Sequence, residues 1–193
     1  MQRCGWVSQD PLYITYHDNE WGVPKTDGRY LFEMICLEGQ QAGLSWITVL
    51  KKRENYRRAF HQFDPVRVAE MTEEDVERLV LDAGIIRHRG KIQAIIGNAR
   101  AFLAMEANGE PFADFVWSFV DHKPQITQAA TLAEIPSATP TSDALSKALK
   151  KRGFKFVGTT ICYAFMQSCG LVNDHIKGCI CHPGGQHDPC MAE

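Results

Sequence analysis

Four residues at the two ends of the chain could hold a metal. Cys4 and His17 lie near the start and His175 and Cys179 near the finish, and two thiols with two imidazoles form the tetrahedral donor set of closed structural zinc sites. The pairs are far apart in sequence, and Cys181, His182, His187 and Cys190 are rival ligands. On the residues alone, a metal site and free thiols beside satisfied or solvated histidines both stay open. A catalytic metal fits this set poorly, because four nitrogen and sulfur donors leave no open position for water or substrate.

Glu38 raises a different chemistry. If a helix follows Asp27, its period puts Leu31, Met34, Ile35, Glu38 and Ala42 on one stripe. A carboxylate on a core-facing row is costly unless paired or hydrogen-bonded, so a buried ion pair or a helix-end cap would explain it. Trp6, Tyr13, Tyr16, Trp21 and Trp46 crowd the same third of the sequence. Aromatics at that density are usually core, yet a carboxylate walled by flat rings also suits a planar cation, which stacks on the rings and donates to the acid.

A third constellation runs from Ala144 to Met166, where a helix, a short turn bounded by Gly153 and Gly158, and a second helix opening at Thr159 follow one another. Glycines there permit positive φ and close approach of backbone to a ligand, and free N–H groups at a helix start favour an anion. Lys151, Arg152 and Lys155 add positive charge, so the hairpin suits a DNA phosphate without reading a base. Ordinary helix packing is the plain alternative. A second basic run, Lys51, Lys52, Arg53, Arg57 and Arg58, reads more simply as a solvated helix face.

The elements that must position these residues are helical. Asp27 caps a helix to about Gly39, Asp64 precedes a proline at a first helical position, and Thr72 with Asp75 forms a capping box for a helix ending at Gly84. Further helices are expected at about His88 to Asn108, Pro111 to Val120, Ser142 to Lys151 and Thr159 to Cys169, with Thr131 to Ser142 a surface connection. Strand-like alternation is scarce, so the fold class is all-α. The first twenty-odd residues and the segment after Asn173 fit no period, so something else must hold them, and a zinc ion shared between the ends would do so.

At 193 residues with 45% apolar and 23% charged content, the chain suits one domain with one core. A net charge of −2 argues against a protein that coats nucleic acid through overall positive charge, though not against a local basic face. The start lacks a secretory pattern and no run approaches a membrane span, so a cytoplasmic protein with no membrane partner is expected. Seven cysteines in such a chain point to thiols or metal ligation rather than disulfides.

Taken together, the runs Arg3-Cys-Gly-Trp-Val, Tyr16-His-Asp-Asn-Glu-Trp-Gly-Val-Pro, Leu37-Glu-Gly-Gln-Gln-Ala-Gly-Leu-Ser-Trp, Gly158-Thr-Thr, Cys169-Gly-Leu-Val-Asn-Asp-His and Gly178-Cys closely resemble the bacterial 3-methyladenine DNA glycosylase I family, from Met1 to about Cys181. The resemblance implies a helix-hairpin-helix glycosylase fold. It also implies one structural Zn²⁺ on Cys4, His17, His175 and Cys179, tying the irregular ends about 1–26 and 171–181; the tail over 182–193 lies outside the resemblance and is expected to be disordered. Glu38, Tyr16 and Trp46 would form the base pocket with Trp6 and Trp21 nearby, Glu38 being the catalytic candidate. Gly153, Lys155, Gly158, Thr159 and Thr160 would meet DNA. Leu44, in the turn from Gln41, would be the wedge that fills the gap left by a flipped base.

The partners implied are double-stranded DNA carrying an alkylated purine and free 3-methyladenine as product, handled by a monomer that hydrolyses the N-glycosidic bond without lyase activity. One departure stands out. Superfamily relatives such as endonuclease III carry a catalytic aspartate in a Val-Asp-Thr-His run, where this chain reads Val172-Asn173-Asp174-His175; neither Asn173 nor Asp174 is given a catalytic role. Two rival readings remain open: a non-catalytic, zinc-stabilised DNA-binding module and a zinc-dependent hydrolase.

Overall fold

Most helices begin where a side chain can take up the free N–H groups of the first turn. In the computed structural model, which describes residues 2–184, Asp10 accepts from Leu12 N at 2.9 Å ahead of α1 (Pro11–Asn19), and Asp27 accepts from Tyr30 N at 3.0 Å ahead of α2 (Gly28–Gln40). After α3 (Trp46–Ala59), Asp64 caps α4 (Pro65–Ala69), and Thr72 with Asp75 closes the expected capping box on α5 (Glu73–Leu79). His88 accepts from Lys91 N at 3.0 Å at the head of α6 (Arg89–Ala107), and α7 (Phe112–Ser118) follows. Thr139 and Ser142 form a second capping box on α8 (Pro140–Lys151), which leads through a short turn into α9 (Thr159–Ser168).

Three expectations change. The start is not irregular throughout, since α1 occupies residues 11–19. The helix after Thr72 ends at Leu79 rather than Gly84, where Asp82 accepts from Gly84 N at 2.7 Å and turns the chain. The basic run Lys51 to Arg58, read as a helix face, does lie on α3, whose bounds the sequence leaves unmarked. Finally, α8 begins at Pro140, inside the stretch expected to be a connection, because Thr139 caps it. Of the tail expected to be disordered, His182 is buried; residues 185–193, with His187 and Cys190, lie outside the described residues.

The all-α expectation stands, with only the two-residue parallel strands β1 (Gln125–Ile126) and β2 (Val172–Asn173) beside the helices. Helix α2 is the axis: every residue from Leu31 to Gln40 is buried, with α3, α6, α7 and α9 against it. Phe32, Phe60, Phe63, Phe102, Phe112 and Phe165 fill the main core.

A smaller cluster, Cys4, Tyr16, Trp21, Leu50, Ile176 and Cys179, gathers the two ends of the chain. Backbone bonds reinforce that junction: Ile180 N donates to Gln2 O at 3.0 Å, Gly22 N to Gln167 O at 2.9 Å and Lys25 N to Cys169 O at 2.9 Å. Gly170 makes the contact possible, for at its φ of +72° a Cβ would lie 2.3 Å from Pro24 N. No helix among the described residues is long and apolar enough to cross a membrane.

Candidate active site

Three polar side chains lie within the buried run of α2, and only one is left unpaired. Glu33 receives Arg57 Nε at 2.5 Å. Gln40 accepts from Tyr56 OH at 3.0 Å and donates to Lys91 O at 3.1 Å. Glu38, 2% exposed in the last turn, has an Oε2 with no hydrogen-bond partner among the described residues. Burial pushes its carboxyl up to about 8, with the Ser168 hydroxyl pulling weakly the other way. The stripe inferred from sequence therefore understates the matter, because α2 is buried all round and Glu38 is distinguished by what it lacks.

Glu38 opens onto a cavity of about 330 Å³ lined also by Trp6, Tyr13, Tyr16, Trp21 and Trp46, with Gln41, Leu132, Ile135, Ala164 and Gln167 completing the wall. Helix α1 presents Tyr13 and Tyr16, one turn apart, and α3 presents Trp46 from its first position. Trp6 meets the rings of Tyr13 and Trp21 edge-on, each at 5.0 Å, while Tyr16 and Trp46 are tilted at 45° with centroids 5.6 Å apart. Burial, and then the charge of Glu38, holds the Tyr16 hydroxyl well above its ordinary pKa, so it stays a proton donor. Trp6 Nε1 and Trp46 Nε1 are, like Glu38 Oε2, buried without a partner. Buried polar groups in folded proteins are nearly always paired, so three orphans around one cavity mark a place built for a polar, flat guest.

The metal candidates converge behind this wall. Ligand atoms of Cys4, His17, His175 and Cys179 all lie within 4.8 Å of one another and all four residues are buried. Cys179 Sγ is 3.5 Å from His17 Nε2 and 3.4 Å from His175 Nδ1. The opposite ring nitrogens are already engaged, His17 Nδ1 with Asp18 Oδ1 at 2.7 Å and His175 Nε2 with Trp21 O at 2.9 Å, which turns the free lone pairs toward the sulfurs as metal-bound imidazoles require. Burial lowers His175 to about 4 and raises Cys4 to about 12. Neutral imidazoles suit ligation as they stand, whereas a buried thiolate needs a cation beside it. The set fits a metal ion. Trp6 packs against His17 at 5.2 Å and Trp21 against His175 at 4.7 Å, so the cluster and the aromatic wall share side chains. Asp18 and Cys181 form a second, less buried group with His17.

The hairpin expected to meet DNA is formed by α8 and α9. Gly153 takes a φ of +93°, as expected, but Gly158 does not: its φ is −60°, and a Cβ there would meet nothing within 4 Å. Thr159 Oγ1 bonds Ser142 Oγ at 2.7 Å, tying the two helices, while Thr160 and Lys155 are exposed. Lys147, Lys150, Lys151 and Lys155 form no ion pair among the described residues. Arg152 is spent on Glu110, bidentate at 2.7 and 2.8 Å. Most of the other basic run is similarly engaged, with Lys51 on Asp10, Lys52 on Ala83 O, Arg53 on Glu20 and Arg57 on Glu33. Leu44 is exposed at the tip of the turn after α2.

Sequence reasoning missed the supports. Lys91, buried, donates to Gln40 O at 2.9 Å and Ala42 O at 2.6 Å and so holds the turn that carries Leu44. Asn98, also buried, pins Lys155 by both backbone groups, at 2.9 and 3.2 Å.

Over residues 6–182 the sequence matches the methyladenine glycosylase family. The chain belongs to that family. Among methyladenine glycosylases it is 82% identical over 186 residues to DNA-3-methyladenine glycosylase 1 of Escherichia coli, covering 96% of this chain and all of that one. A crystal structure of a 3-methyladenine DNA glycosylase I, 82% identical, superposes with a TM-score of 0.94 over 94% of this chain and all of that chain. The Staphylococcus aureus 3-methyladenine DNA glycosylase I, solved to define 3-methyladenine recognition, is 40% identical with a TM-score of 0.92, covering 96% of this chain and 98% of that chain.

Proposed function

We propose that this protein is a DNA repair glycosylase that hydrolyses the N-glycosidic bond of 3-methyladenine in alkylated double-stranded DNA. The observation that carries the reading is the unpaired, buried carboxyl of Glu38 in a cavity of aromatic faces. Methylation at N3 gives the adenine of DNA a positive charge. A cation is what such a carboxylate lacks, and ring stacking with a charge-assisted hydrogen bond is what the cavity can supply.

The damaged nucleotide leaves the stack at a cost lowered by its weak pairing. Leu44, projecting from the turn that Lys91 holds, fills the gap. The phosphates lie along Gly153, Lys155, Gly158, Thr159 and Thr160 of a helix-hairpin-helix, whose N–H groups and lysines favour anions. Inside the cavity Glu38 accepts from the base edge, Tyr16 donates, and Trp46, Trp6 and Trp21 provide faces and walls. The C1′–N9 bond breaks with its electron pair passing to the base, which neutralises the methylpurine. Water adds its oxygen to C1′ and loses a proton. Among the described residues no lysine lines the cavity, and lyase activity through an enzyme-linked Schiff base is not expected. Neutral adenine offers no charge to Glu38 and is discriminated against on binding.

Cys4, His17, His175 and Cys179 would hold a structural Zn²⁺, which stabilises the walls when bound and takes no part in bond cleavage. The protein acts as a single-domain cytoplasmic monomer.

The test is to incubate the protein with methylated DNA and identify released bases by chromatography. Free 3-methyladenine is expected. Phosphodiester breaks without free base would favour a hydrolase, and binding without release would favour a DNA-binding module.

A further inference from the structure

Gln167 lines the cavity from α9, one turn beyond Ala164 on the same face. It lies eight residues into the helix, or roughly 12 Å along its axis from Thr159 at the hairpin. That depth sets it back from the phosphate site proposed for the hairpin. Its amide is not free to choose which end it shows. Gln167 Nε2 donates to Asp174 Oδ2 at 2.8 Å, and the same oxygen accepts from Tyr163 OH at 2.5 Å. Asp174 is fully buried.

A carboxylate only accepts, so the amide must turn its N–H₂ toward Asp174 and its carbonyl oxygen away. A reversed amide would set two acceptors face to face. Gln167 Oε1 has no hydrogen-bond partner among the described residues, yet it is not one of the sealed-off atoms. It is an acceptor held ready at the cavity wall.

We propose that Gln167, oriented by Asp174, reads the exocyclic group of the bound purine and sets a preference for adenine over guanine derivatives. The inference rests on the glycosylase reading above. Adenine carries an amino group at this position, which donates to a fixed carbonyl oxygen. Guanine carries a carbonyl oxygen there, and two acceptors facing each other in a desolvated pocket go unpaired. Discrimination built on such a polar contact is large, roughly 10- to 100-fold for a single group. Gln167 is the specificity-determining residue and Asp174 a positioning residue that acts only through it.

The test compares release of 3-methyladenine and 3-methylguanine from methylated DNA by the full-length protein and two variants, each checked for folding by thermal unfolding. Gln167→Met keeps the length of the side chain and removes its acceptor. It is expected to slow 3-methyladenine release about tenfold without slowing 3-methylguanine. Asp174→Asn replaces one acceptor oxygen by a donor N–H₂, so the neighbouring amide no longer fixes which end Gln167 shows to the cavity. It is expected to shift the ratio toward guanine although Gln167 is intact, which loss of a merely structural contact would not do. Equal slowing of both purines, or no change in the ratio, in folded Gln167→Met overturns the inference; if Asp174→Asn does not fold, Gln167→Met decides alone. Failure of the unmodified protein to release any methylated base would instead sink the glycosylase reading.

Discussion

At the level of single residues, the molecule keeps an unpaired acid in its interior, and the cost can be measured. Glu38 has a pKa raised to about 8 by burial. A carboxyl whose native pKa exceeds its unfolded value contributes most to stability below the unfolded value, and that contribution fades as pH rises through the native one. Comparing the free protein with Glu38→Gln by denaturant unfolding should show the variant gaining relative stability from pH 5 to pH 9, by a few kcal/mol. The same substitution should lower 3-methyladenine excision by roughly 10- to 100-fold, since a charge-assisted contact becomes a neutral one. A variant as unstable as the parent at pH 9 would mean that the carboxyl is already compensated. Glu38 and the aromatics were legible in the sequence because an acid on an apolar row and dense rings are visible without coordinates. Lys91, Asn98 and Gln167 were not, since a glutamine or lysine announces nothing until its tertiary partner is known.

Among the elements, the helices that sequence reasoning located carry a cap, as α2 and α6 do, or an apolar run bounded by proline or glycine, as α7 and α9 do. Helix α1 has the cap, Asp10 before Pro11, but its inward residues Tyr13, Tyr16 and His17 face the cavity and the metal cluster rather than an apolar core, so no stripe betrays it. Helix α3 has neither signal: Ser45 spends its hydroxyl on Thr48 Oγ1 at 2.8 Å instead of a backbone N–H, and its outer face is basic.

Between α2 and α3 lies the turn whose order depends on Lys91. Replacing that lysine by methionine leaves the carbonyls of Gln40 and Ala42 without their donor, and should destabilise the protein by about 2 kcal/mol in urea unfolding. Leu44→Ala, at the tip of the same turn, should leave affinity for free 3-methyladenine unchanged while slowing excision from duplex DNA roughly tenfold. Equal loss in both assays would place Leu44 in the cavity instead of the helix stack.

Across the whole molecule, the two ends of the chain meet at four buried candidate metal ligands that also back the cavity. If the four residues hold the proposed Zn²⁺, Cys179→Ser or a strong chelator should lower the thermal midpoint by several degrees and weaken 3-methyladenine binding with it, because Trp6 and Trp21 rest on His17 and His175. Retained affinity after complete metal loss would separate the cluster from the pocket. The general all-α architecture followed from local signals. The junction of the ends followed only from chemistry, since nothing in a periodic pattern relates Cys4 to His175, 171 positions away.

That distance matters during translation. The rings that wall the cavity are among the earliest residues to leave the ribosome, while two of the four groups that brace them are among the latest. A nascent chain therefore carries its recognition surface unfinished through nearly all of its synthesis, and a prematurely terminated one should be unable to attack DNA at all.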